Sequence, residues 1–142
     1  MSKKFDIDLL KKALDNEDNS SLMSLDNRKI KTIKNDLFQK LHFKPEYTKE
    51  LLKKLKEYRF VDDLKEIHFG SYIRWINLNN PEDLKLTNGG IVCDIKVTDI
   101  VLIICKNRFN RYFTIKMDEC LIFQKLNNSE NIILYAMDHL NK

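Results

Sequence analysis

Residues 68–95 read HFGSYIRWINLNNPEDLKLTNGGIVCDI, and the fold turns on how this stretch is parsed. Between Tyr72 and Leu78 the side chains alternate with a period of two, the spacing of a strand with one face buried. Alternation turns Ile73 and Trp75 inward and Tyr72 and Arg74 outward. Asn80-Pro81-Glu82-Asp83 reads as a turn or a single helical turn. Asn88-Gly89-Gly90 is a turn of hairpin grade, because glycine accepts the positive φ such turns need. A second strand follows, with Ile91, Cys93, Ile95 and Val97 on one face and Asp94 and Lys96 on the other.

The same punctuation continues towards the C-terminus. Thr98-Asp99 separates that strand from Ile100–Lys106, which reads as buried on both sides. Asn107-Arg108-Phe109-Asn110 is another turn, then Arg111–Met117 and Cys120–Leu126 complete five strands in under sixty residues. Short strands joined by tight turns predict a small antiparallel barrel of SH3-like or OB-like type. Asn127-Asn128-Ser129 ends the run and caps a terminal helix, with Ile133, Ala136, Met137 and Leu140 on one face. That helix is apolar nearly all round, so it is expected to pack on the barrel or on a partner.

Upstream of Gly70 the pattern is helical. Phe5, Leu9, Leu10, Ala13 and Leu14 fit one face of a short helix, which Asp15-Asn16-Glu17-Asp18-Asn19 breaks. Ile30, Ile33, Leu37 and Leu41 predict a second helix from about Asp26 to His42. Pro45 suits the first position of a third, whose face is Tyr47, Leu51, Leu55 and Tyr58. The segment VDDLKEIHF adds a short turn capped by Asp62 or Asp63 and closed by Gly70. The expected architecture is α+β: a helical N-terminal half (1–69) packed on a five-stranded antiparallel barrel (70–127), with a C-terminal helix (128–142).

Composition agrees with a folded chain. At 142 residues, 43% hydrophobic and 32% charged, it can bury one core without staples. No apolar run approaches a membrane span. The first residues, MSKKFDIDLLKK, do not read as a signal peptide, so an intracellular site, cytoplasm or nucleus, is expected. Cys93, Cys105 and Cys120 sit inside apolar runs and read as reduced core thiols. The net charge is +4, but residues 28–59 hold eleven basic against four acidic side chains, so the basicity is local.

GSYIRWI followed by LKLTNGGIV resembles a Gly-x-Tyr-Ile-Arg-Tyr … Leu-x-x-Gly-Gly pattern of small β-rich proteins from large nucleocytoplasmic DNA viruses. Gly70, Tyr72, Ile73, Arg74, Leu86, Gly89 and Gly90 carry the resemblance, with Trp75 in place of the second tyrosine. It spans residues 70–126 and implies a virus-encoded small barrel without a defined activity, with the virion as a further location.

Catalytic chemistry finds little support in the pattern. His42, His68 and His139 and the three cysteines lack the paired spacing of a structural zinc site, so no metal or other cofactor is expected. There is no G-x-S-x-G and no P-loop, and Gly89-Gly90 lacks the lysine and following helix that cradle phosphate. The acid pairs Asp62-Asp63, Glu82-Asp83 and Asp118-Glu119 fall where capping explains them. A non-catalytic protein-interaction or structural module, acting through a partner or through self-association, is the reading that remains.

Nucleic-acid binding, DNA or RNA, is the alternative. Lys49, Lys53 and Lys56 fall on one helical stripe, and Arg28, Lys31 and Lys34 on another, as phosphate contacts would require. Tyr72, Trp75, Tyr112 and Phe113, with Arg74, Arg108 and Arg111 nearby, offer stacking partners, although alternation places Trp75 in the core. Against this, lysines opposite an apolar stripe are what any solvated helix face shows.

Overall fold

Asp26 shows how the helices are set. Its side chain accepts the Lys29 N–H at 2.7 Å and so caps the helix that begins one residue later. The computed structural model describes residues 7–15, 22 and 24–141. They divide into two units, Met1–Thr48 with Leu126–Lys142, and Lys49–Lys125, the division falling inside a helix.

The first unit contains α1 (Ile7–Asp15), α2 (Asn27–Lys40), the start of α3 (Pro45–Lys54) and α4 (Asn128–Leu140). Asn127 and Glu130 form a capping box at the start of α4. Near its end Asp138 accepts the Asn27 N–H at 2.8 Å and the Asn27 side-chain amide at 2.6 Å, while Asn141 donates to Asp26 at 3.0 Å. These hydrogen bonds tie the end of α4 to the start of α2. Ile133 and Leu134 of α4 join Ala13, Leu22, Ile30 and Leu126 in one core. The sequence reading placed α4 on a barrel or a partner; within its own unit α4 packs on α1 and α2.

The buried stripe of α2 also differs from the expected one. Ile30, Lys34 and Phe38 are buried, at a spacing of four, while Ile33 is exposed. Phe5 and the break at residues 16–19 lie outside the described residues.

The second unit is a six-stranded antiparallel sheet, in the order β1-β6-β2-β3-β4-β5. Its strands are β1 (Tyr58–Val61), β2 (Tyr72–Asn77), β3 (Gly90–Val97), β4 (Val101–Lys106), β5 (Tyr112–Lys116) and β6 (Cys120–Lys125). The order is open, with β1 and β5 as its edges, so the described strands form a six-stranded open sheet where the sequence led us to expect a five-stranded SH3-like or OB-like barrel. The additional strand comes from the segment read as helical. Residues 51–58 fit a helical period, but α3 stops at Lys54 and Tyr58–Val61 pairs with β6 instead. The boundary expected at Gly70 therefore falls inside the sheet unit.

Arg59 is a buried residue of β1, and its guanidinium meets Glu66 at 3.2 Å. Glu66 belongs to a 3₁₀ turn, Leu64–Glu66, capped by the Asp63 side chain. The apolar core of this unit gathers Val61, Ile73, Trp75, Val92, Ile103, Cys105 and Ile122.

β3 reverses the facing read from its sequence. Val92 is buried and Ile91 exposed, and the register with β4 slips between Val92 and Asp94. Cys93 is the extra residue of this β-bulge, so Ile95 returns to the core side three residues after Val92. The bulge also leaves Cys93 exposed, whereas Cys105 and Cys120 are buried thiols.

Asn88-Gly89-Gly90 is likewise not a hairpin loop. Leu86 already bridges Ile76, and Thr87 N–H donates to the Trp75 carbonyl at 2.9 Å, so the chain runs back beside β2 before reaching the glycines. Gly89 then takes φ +84° and turns the chain into β3.

Candidate functional site

A cleft of about 660 Å³ opens on the sheet unit. It is built from β1, β2, β5 and two connections, and each part has a local cause. Strand parity sends Tyr72 and Arg74 to one side of β2 while Ile73 enters the core. Trp75, at 7% exposure, belongs to the core and adds its edge to the cleft wall.

Hydrogen bonds to the returning loop fix both polar side chains. The Tyr72 hydroxyl donates to the Asn88 carbonyl at 2.6 Å, and Arg74 Nε donates to the Thr87 carbonyl at 2.8 Å. Gly89 makes this close approach feasible, because it has no Cβ to collide with β2.

The opposite wall comes from β5 and the turn before it. Asn107 organises that turn: its side-chain oxygen accepts the N–H groups of Phe109 at 2.9 Å and Arg111 at 3.0 Å. Arg108 lines the cleft and lies 4.8 Å from the centre of the Phe109 ring. Phe113 and Ile115, two apart on β5, supply the apolar side of that wall. Tyr58 of β1 also lines the cleft. Burial holds its phenol above the usual tyrosine value, against a smaller opposing pull from Arg74, so it is neutral at physiological pH.

The lining thus joins two guanidinium groups to the rings of Tyr58, Tyr72, Phe109 and Phe113. Among the described residues that line it none is a carboxylate. Such a cavity suits a ligand with negative charge and a flat unsaturated group.

The residues singled out in the sequence are dispersed. Tyr72, Arg74 and Arg108 meet in this cleft, while Arg111 is exposed and does not line it. Arg28 and Lys31 are exposed on α2, but Lys34 is buried, so those three do not form one solvated stripe. Burial, and secondarily Lys31, lowers the Lys34 ammonium to about 8. Lys49 and Lys53 on α3 and Lys56 beyond it are exposed and belong to the sheet unit, whereas α2 belongs to the helical one.

Tyr58 and Phe109 were missed. Tyr58 was assigned to a helix face, where its strand position was invisible. Phe109 had a legible signal: a large ring between Arg108 and Asn110, in a turn where no core can use it. Tyr112 and Phe113, successive residues of the edge strand β5, are both exposed, and of the two only Phe113 lines the cleft.

Among the described residues there is no group of three or more His, Cys, Asp or Glu side chains placed to hold a metal ion, and no helix long and apolar enough to cross a membrane. Comparison of the chain with protein-family models, curated proteins and solved structures finds no match.

Proposed function

We propose that the chain is a non-catalytic binding module that holds single-stranded nucleic acid in the cleft of its sheet unit. The observation that carries this reading is the cleft lining: Arg74 and Arg108 beside the rings of Tyr58, Tyr72, Phe109 and Phe113 and the edge of Trp75, with no carboxylate among the described lining residues. Guanidinium groups pair with phosphate oxygens, and unpaired bases stack on Tyr and Phe rings, a contribution of roughly 1–3 kcal/mol per base. A duplex keeps its bases stacked on one another, so the rings favour a single strand.

The hydrogen bonds from Tyr72 and Arg74 to the Thr87–Asn88 segment hold two of these groups in place before any ligand arrives, which limits the ordering cost of binding. Three of the seven residues that carry the viral resemblance, Tyr72, Arg74 and Gly89, line the same cleft. The full form of the proposal is therefore a virus-encoded nucleic-acid-binding protein.

The test is fluorescence anisotropy with labelled oligothymidylate, oligoadenylate and a duplex of equal length, at low and at physiological salt. Single strands should bind at physiological salt and the duplex more weakly. Arg108→Gln should weaken binding to every single strand and lower the salt slope by about 0.7. Phe113→Ala should weaken binding at least about fivefold, from the loss of one stacking partner. Binding that disappears at physiological salt, or that ignores both substitutions and responds only to Lys49, Lys53 and Lys56, overturns the cleft as the site.

A further inference from the structure

The turn between β4 and β5 is a prepared projection. Besides the two side-chain hydrogen bonds of Asn107, its N–H donates to the Arg111 carbonyl at 2.9 Å, and Asn110 closes the turn at φ +61°. Phe109 stands at the tip with 68% of its surface exposed. Arg108 lies against the ring and Arg111 follows, also exposed. A rigid apolar tip flanked by arginines has the composition of an interface core, since aromatic residues and arginine are enriched there.

The same unit carries a receptor of opposite character. A second cleft, of about 450 Å³, has Phe60, Ile100, Val101 and Met117 among its apolar lining. Asp62, Asp99 and Asp118, all exposed, also line it, and among the described residues no Lys or Arg does. A cavity of about 150 Å³ is enough to take benzene, so this one admits a phenylalanine ring and part of its turn.

Their placement excludes self-filling. The cleft includes Ile100 and Val101 where β4 begins and Met117 where β5 ends, whereas the turn joins the other ends of these strands. At about 3.3 Å per residue the two sites are on the order of 20 Å apart. We infer that the occupant of this cleft is a second copy of the chain, which inserts Phe109 and sets Arg108 and Arg111 against the three aspartates. Knob and hole are different surfaces, so the contact is head to tail and propagates into a ring or a filament. It goes beyond the nucleic-acid reading and uses another cleft. Arg108 and Phe109 also line the first cleft, so one copy's turn serves only one role at a time.

Sedimentation velocity tests this from about 1 μM to about 1 mM protein, at low and at high salt. The mean mass should rise above the 16.9 kDa of one chain with concentration and fall with salt. Phe109→Asp removes the knob and Asp99→Lys the hole. At concentrations where the wild type assembles, each variant alone should remain monomeric, its self-association weakened at least about tenfold. Mixed in equal amounts they should form a 1:1 complex and nothing larger, because only one intact knob and one intact hole remain per pair. Arg108→Glu and Asp62→Lys repeat the pairing at other exposed positions, so misfolding of one variant does not decide the result. A wild-type chain that stays monomeric throughout, single variants that still assemble, or a folded mixture that fails to pair each overturn the inference.

Discussion

Gly89 lies so close to β2 that a Cβ added there would overlap the Ile73 carbonyl oxygen and come within 2.9 Å of both Arg74 Cγ and Tyr72 Cε1. The same residue holds φ +84°, where a side chain is strained whatever the space. Gly70 provides the control, since it has φ +83° and nothing within 4 Å of its virtual Cβ. Gly70→Ala should destabilise the sheet unit by about 1 kcal/mol, from backbone strain alone. Gly89→Ala should cost roughly 3 kcal/mol, because overpacking adds to the strain. It should also displace Tyr72 and Arg74. Urea denaturation followed by Trp75 fluorescence separates the two variants, and equal midpoints would refute the clash.

Gln124 is a buried polar residue at 1% exposure with both ends of its amide in use. It accepts the His68 N–H at 2.9 Å and donates to the Glu66 carbonyl at 2.8 Å, fastening the Leu64–His68 segment to β6. Gln124→Leu preserves most of the volume and strands both backbone groups, so a loss of about 2 kcal/mol is expected. Hydrogen exchange should locate the effect at the amide of His68. An unchanged exchange rate there would mean that the hydrogen bond contributes nothing.

Thiol chemistry distinguishes the bulge from the core. Cys105 is pushed up to about 12 and Cys120 to about 11, mainly by burial. Cys93 is exposed on the bulge of β3. With a thiol-reactive disulfide at pH 8, one equivalent should react quickly in the folded protein and two more only on unfolding. Cys93→Ser should abolish the fast phase. Rapid reaction of a second thiol in the folded state would contradict the packing of β4 or β6.

How much of this was readable in advance depended on whether the signal was local. Asp26, Pro45, Asp63 and Asn127 announce helix or turn starts through chemistry confined to a few residues, and the structure uses each at that position. The strand at Tyr58–Val61 was hidden because one of its two inward residues is Arg59, which is buried against Glu66 seven positions later. The bulge at Cys93 was hidden for a similar reason, since a register slip is a property of two strands and a sequence shows one. The cleft was half legible. Parity exposed Tyr72 and Arg74, but their meeting with Arg108, Phe109 and Tyr58 needs the order β1-β6-β2-β3-β4-β5, which no local pattern encodes.

Lys34 gives the helical unit a pH dependence of known sign. It is 4% exposed, and burial lowers its ammonium from the usual 10.5 to about 8. Below about pH 8 the folded state holds a buried charge, whereas between about 8 and 10.5 the unfolded chain keeps a proton that the folded one has released. The unfolded state then binds more protons, so stability rises with pH across that window. The full effect is on the order of 3 kcal/mol, of which about 2 should be visible between pH 7 and pH 9.5, before tyrosines ionise. Lys34→Met removes the titrating group and keeps an unbranched side chain in the same space, so its unfolding free energy should be flat over this range relative to the wild type. The comparison needs chemical denaturation of both proteins at matched pH, read by far-ultraviolet circular dichroism, with the difference between them taken at each pH. Parallel curves would mean that Lys34 stays protonated in the folded chain up to pH 9.5 and that its partners outweigh the burial.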